Sequence, residues 1–171
     1  MKLNLSIDLE KKGVFEEVKR FLDEDRFRII NQDDNRPWGG FYVIDESQSQ
    51  KFIDHFFSDV PDSEKRSTGK ISPKILIVEK GKRLSWQYHH RRAELWKVIA
   101  GEVGVITSDT DKEKEIQLKK EGDIITLKQG ERHRLVGLKS WGIIAEIWKH
   151  TDKNQPSDEH DIVRVQDDFG R

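Results

Sequence analysis

A chain of 171 residues with 31 Lys and Arg against 32 Asp and Glu suits one domain, and its balance supplies no field to gather nucleic acid or anionic lipid. With no cysteine it can build neither a disulfide framework nor a thiolate metal site, so imidazole, carboxylate or amide groups must hold any metal. The opening stretch MKLNLSIDLEKKG lacks the apolar run of a signal peptide, and no stretch approaches the ~18 apolar residues of a membrane span; a cytoplasmic protein is expected. In chain order, Val14, Phe15, Val18, Phe21 and Leu22 recur at helical spacing and predict an amphipathic helix between Gly13 and Asp25. Phe52, Ile53, Phe56 and Phe57 predict a second, short helix over Ser49–Ser58, ended by Pro61, and Asp59–Lys70 reads as a polar loop. From Ile71 the period changes to two. Lys74–Glu79, Leu84–His89, Leu95–Thr107, Glu115–Lys119, Asp123–Lys128, Arg132–Gly137 and Ile143–Lys149 read as short strands, which predicts an antiparallel sandwich or barrel.

Two segments carry the chemistry. In the first, Gly81, Gln87, His89, Glu94 and Gly101 follow one another with five, one, four and six residues between them. In the second, Gly122, Lys128, Gly130 and His133 are separated by five, one and two. Both segments resemble the paired motifs of cupins. Lys128 stands where those motifs usually have Pro, Gly137 where they usually have Asn, and Gln87 where the first ligand is usually His. Gln87 and His89 lie two apart on a strand and leave the same face. A cage of Gln87, His89, Glu94 and His133 suits one divalent ion, zinc first, with iron, manganese, cobalt or nickel as alternatives. His90 is expected on the opposite face, and His55, His150 and His160 as solvated side chains.

Further stretches narrow the resemblance: Arg36-Pro37-Trp38-Gly39, Tyr42–Glu46, the run from Gly81 to Trp96, Gly130–Leu135, and the ending Asp161–Arg164 with Asp168–Arg171. These are similar to the cupin domain of type II mannose-6-phosphate isomerases, standing here without the nucleotidyltransferase domain it usually follows. The resemblance implies an all-β cupin, a double-stranded β-helix or jelly-roll barrel, with short N-terminal helices. Residues 1–70 are then expected as a helical extension packed on the barrel, and residues 71–171 as the barrel with a C-terminal segment at the substrate site.

It also implies interconversion of mannose 6-phosphate and fructose 6-phosphate through an enediol. The partner is then a small-molecule sugar phosphate rather than nucleic acid or membrane, with pairing into a homodimer left open. Strand parity sets Glu146 on one face with Ile144 and Trp148, making it a candidate proton carrier; Glu94 is a second, if it partly leaves the metal. Arg83, four residues before Gln87, is expected to face the same cavity. Arg36, Arg164 and Arg171 are candidate phosphate-gripping residues. Trp96 shares the face of Glu94 and is expected to wall the cavity, whereas Trp86, Trp141 and Trp148 are expected in core packing. Lys97 is expected outside the cavity. An isomerase of another sugar phosphate and a non-catalytic sugar-binding or regulatory cupin are the competing readings.

Overall fold

The computed structural model describes residues 3, 5, 9–67 and 69–171, so the expectations for the opening segment and the Asp59–Lys70 loop lie partly outside the described residues. Helix α1 (Lys11–Glu24) buries Val14, Phe15, Val18, Phe21 and Leu22, the stripe its spacing predicts. Helix α2 (Ser49–Phe56) buries Phe52, Ile53 and Phe56. A single turn, α3 (Asp62–Lys65), interrupts the stretch expected as a loop.

Among the described residues there are eleven strands: β1 (Ile29–Asp33), β2 (Gly39–Ile44), β3 (Ile71–Val78), β4 (Trp86–Tyr88), β5 (Arg92–Ala100), β6 (Glu102–Ser108), β7 (Gln117–Lys120), β8 (Ile124–Leu127), β9 (Arg132–Gly137), β10 (Gly142–His150) and β11 (Val163–Gln166). They form two antiparallel sheets, one in the order β1-β2-β3-β10-β5-β8 and the other β11-β4-β9-β6-β7. Residues 1–70, expected as a helical extension, therefore also supply two strands to the larger sheet. The continuous apolar, β-prone run Phe41–Ile44 carried that signal.

The single strand expected over Leu95–Thr107 is two. Gly101, at φ 75°, turns the chain between β5 and β6, which belong to different sheets. A Cβ at Gly101 would lie 2.1 Å from the Trp141 carbonyl oxygen, so the turn admits no side chain.

The larger sheet has apolar residues on both faces. Ile75 and Ile77 of β3, Leu95 of β5, and Ile143, Ala145 and Ile147 of β10 join one core with the stripes of α1 and α2. Leu76 and Val78 of β3, Trp96 and Val98 of β5, and Ile144 of β10 join a second core between the sheets. Covering the outer face with helices is what gives β3 and β10 their nearly continuous apolar runs. Tyr42 Oη donates to the Phe15 carbonyl at 3.1 Å and ties α1 to the sheet.

Candidate metal centre

At one end of the space between the sheets the inner face turns polar. Glu94 sits on β5, His133 on β9, and His89 just past the end of β4; each is about 2% exposed. His89 Nε2 lies 3.2 Å from Glu94 Oε1, and His133 Nε2 lies 3.5 Å from Glu94 Oε2. One ligand atom from each residue falls within 4.8 Å of the others.

The tautomers are set from behind. His89 Nδ1 meets the Asp161 carbonyl at 2.6 Å, and His133 Nδ1 meets the Glu131 carbonyl at 2.9 Å. Each Nδ1 therefore donates, which leaves a lone pair on each Nε2 pointing at Glu94. Burial pushes the His89 imidazole down to about 3, keeping that lone pair free of a proton at neutral pH. His133 Nε2 is buried with no hydrogen-bond partner among the described residues. Two imidazoles and a carboxylate, converging with one nitrogen unsatisfied, fit a divalent cation.

Gln87 lies on β4, opposite His133 on β9 and Arg164 on β11. Its Oε1 accepts from Ser85 Oγ at 2.5 Å, and its Nε2 lies 3.5 Å from His89 Nε2. The structure thus brings the three-residue group together and sets Gln87 beside it, with the amide nitrogen towards His89.

Sequence reasoning missed Arg92, although it is two residues before Glu94 on β5 and so shares its face. Arg92 Nε donates to Glu94 Oε1 at 2.7 Å, Nη2 lies 3.1 Å from His89 Nε2, and Nη1 donates to Ser157 Oγ at 2.9 Å. Its guanidinium carbon lies 3.6 Å from the centre of the Trp148 ring. Burial opposes charge on Glu94, but His89, Arg92 and His133 outweigh it and hold the carboxyl below its ordinary range. Glu146, on the same inner face of β10, goes the other way: burial first, then the charge of Glu94, raises its carboxyl well above the ordinary value. Trp96 Nε1 stands between the two carboxylates, 3.1 Å from Glu94 Oε2 and 3.0 Å from Glu146 Oε1. Trp96 does wall the cavity, and Trp148, expected in core packing, walls it too. Its parity with Glu146 turns it inward where the barrel end is open.

The cavity holds about 400 Å³ and runs from Gln87, Glu94 and Glu146 out to Arg36, Arg164 and Arg171. Burial, and then the charges of Arg171 and Arg36, lower the proton affinity of Arg164, which places the three guanidinium groups in one field. Arg164 Nε is buried without a hydrogen-bond partner among the described residues. Arg171 is held by Asp167 at 2.9 and 3.0 Å, and Arg36 lies 2.7 Å from Asp33.

Arg83 does not join them. It pairs with Asp168 at 2.6 and 2.9 Å on the surface. The parity argument fails because β4 begins only at Trp86, and Leu84 and Ser85, neighbours in sequence, both line the cavity. His150, expected to be solvated, is about 1% exposed. Its Nδ1 accepts from the Ser157 backbone at 2.8 Å, and its Nε2 lies 2.8 Å from Ser72 Oγ. His90 is exposed as expected, and Lys97 pairs with Asp59 outside the cavity.

Two antiparallel sheets with a buried histidine–carboxylate group at one end define a cupin with a candidate metal centre. The solved structures most informative about shape agree: a mutant oxalate decarboxylase OxdC of Bacillus subtilis matches at a TM-score of 0.55 and 13% identity, covering 78% of this chain and 30% of that one. The chain belongs to the family described as mannose-6-phosphate isomerase C-terminal, whose family model matches residues 62–167. Among its relatives, the xanthan biosynthesis protein XanB of Xanthomonas campestris is 29% identical over 136 residues, 80% of this chain and 23% of that protein. The mannose-1-phosphate guanylyltransferase of Escherichia coli is 29% identical over 160 residues, 94% of this chain and 27% of that protein. The chain spans about a quarter of the length of these curated relatives.

Proposed function

We propose that the chain is a metal-dependent aldose–ketose isomerase that interconverts mannose 6-phosphate and fructose 6-phosphate. One observation carries the reading: a single cavity is lined by Glu94, the carboxylate of the His89–Glu94–His133 group, by Glu146 and by the three arginines Arg36, Arg164 and Arg171. Family membership supports the substrate class. His89, Glu94 and His133 would hold the ion, with Gln87 as the fourth ligand through its amide oxygen once the side-chain amide turns over from its contact with Ser85. When bound, the ion supplies positive charge that polarises the sugar oxygens and stabilises an enediolate.

The chain's own groups divide the remaining work. Arg36, Arg164 and Arg171 grip the phosphate and orient the open-chain sugar towards the buried group. Glu94, pinned by Arg92 and Trp96, stays ionised as a ligand. Glu146 works from its ionised form, which the charges of Lys74 and Arg92 favour: it takes the proton from C2 of the aldose and returns it to C1 of the ketose, while the O2 hydroxyl proton passes to O1. Two carboxylates whose surroundings push their proton affinities apart are suited to such separate roles. Trp96 orients the carboxyl through its 3.0 Å hydrogen bond.

A coupled assay on mannose 6-phosphate should show turnover that is lost on chelation and restored by a divalent metal. His133→Ala should lose both the metal, measured by emission spectrometry, and the turnover. No turnover of any hexose phosphate by metal-loaded protein would overturn the isomerase reading, and full metal content in His133→Ala would overturn the ligand set.

A further inference from the structure

Lys74 lies on β3 with its side chain on the inner face, level with Leu76 and Val78, which pack the barrel core. A leucine there would extend that core. The lysine is about 4% exposed, and burying an ammonium carries a large desolvation penalty unless strong partners offset it. Its partners are two aromatic faces and one carboxylate. The Nζ lies 3.8 Å from the centre of the Trp148 ring and 4.6 Å from that of Phe41, and it pairs with Glu159. The Glu159 side chain is 54% exposed, on the loop between β10 and β11, and an exposed carboxylate is easily exchanged for another acceptor.

Position gives this cation a use. Lys74 is directly opposite Glu146 in the β3–β10 register, so its ammonium stands on the cavity wall beside the carboxyl assigned to proton transfer. Glu159 lines the same cavity as Lys74, Arg164 and Arg171. An ammonium is a compact point charge with three donors and lacks the planar fork that suits phosphate. It matches single oxygens.

We propose that Lys74 is a substrate-contacting residue that binds a hydroxyl or carbonyl oxygen of the sugar beside Glu146, and that Glu159 is an internal competitor which the sugar displaces. This rests on the sugar-phosphate reading above. The two roles make opposite demands on one ion pair. Removing the lysine charge should weaken sugar-phosphate binding, and removing the glutamate charge should strengthen it. An ion pair that only held the loop in place would make both variants weaker.

Isothermal titration of fructose 6-phosphate and of inorganic phosphate into the full chain separates these cases. Lys74→Met should bind fructose 6-phosphate roughly 10–100-fold more weakly and inorganic phosphate within about twofold of the parent. Glu159→Gln should bind fructose 6-phosphate several-fold more tightly. Equal loss of both ligands in Lys74→Met would assign the lysine to the phosphate end and overturn the proposal. So would weakening, or no change, in Glu159→Gln, which at an exposed loop position carries the test should Lys74→Met fail to fold. Failure of the unmodified protein to bind fructose 6-phosphate would overturn the sugar-phosphate reading itself, a result visible before any variant is made.

Discussion

The two faces of β3, β5 and β10 share one backbone and do opposite things. Outward, Ile75, Ile77, Leu95, Ile143, Ala145 and Ile147 join one apolar core with α1 and α2, and the charged groups of that face, Lys97 and Lys149, reach away to Asp59 and the Glu64 carbonyl. Inward, towards the open end of the barrel, the alternate positions are Lys74, Arg92, Glu94, Glu146 and Trp148. Strand alternation alone separates them, one residue at a time. Burying five such side chains together is tolerable because the outer core supplies stability the inner face does not have to provide, and because the charges face one another. The lesson is that an apolar core packed on one sheet face can hold a reactive face in place at a spacing of a single peptide.

The sharpest way to break that comparison is to neutralise one inward carboxyl. Glu146→Gln preserves shape and the acceptor for Trp96 Nε1 but cannot carry a proton. Turnover of mannose 6-phosphate should fall about 10²–10⁴-fold, the range for loss of a general acid–base group, while bound metal and melting temperature stay close to the parent. An unchanged rate would remove Glu146 from the chemistry. The adjacent outward residue should behave in reverse. Ile147→Ala opens a cavity in the helix-covered core and should cost about 2–5 kcal/mol of stability by urea denaturation, with turnover well below the melting temperature kept within about twofold. A large loss of activity in folded Ile147→Ala would show that the two faces are coupled rather than separate.

Much of this division was legible in the sequence, since it follows from parity along unbroken strands. The paired spacings located His89, Glu94 and His133, and parity on β10 turned Glu146 inward. Legibility ended where strands ended. Arg83 was expected in the cavity by counting back from Gln87, but the chain is not in regular strand geometry between them. The stretch Leu95–Thr107 looked continuous because its apolar residues continue through Gly101, although the chain changes sheets there. Arg92 and Lys74 were hidden for another reason: a charged residue is ordinarily solvated, and these two are covered by the Trp148 ring together with Ser157 and Glu159 of the loop between β10 and β11. His150 was misjudged in the same way, because Ser157 comes back seven residues later to cover it.

That buried histidine offers the smallest effect, and a way to read the loop from outside the cavity. Burial, then the charge of Lys70, pushes His150 from 6.5 down to about 4, so it stays neutral in the folded protein at physiological pH. Only an unprotonated Nδ1 can accept from the Ser157 backbone, and Ser157 in turn meets both Arg92 and Asp161. As pH falls below about 6.5 the unfolded chain takes up this proton first, so stability present above 6.5 drains away until about 4, where both states are protonated. His150→Gln keeps one acceptor and one donor but does not titrate. Between pH 7 and pH 4.5 the parent should lose about 1–2 kcal/mol more in urea denaturation than the variant, once screening discounts the full shift. Parallel pH profiles would mean that the Ser157 contact does not require a neutral ring. A difference confined to the parent would show that the loop closing over Arg92 and His89 is held, from its far side, by a histidine that must stay unprotonated.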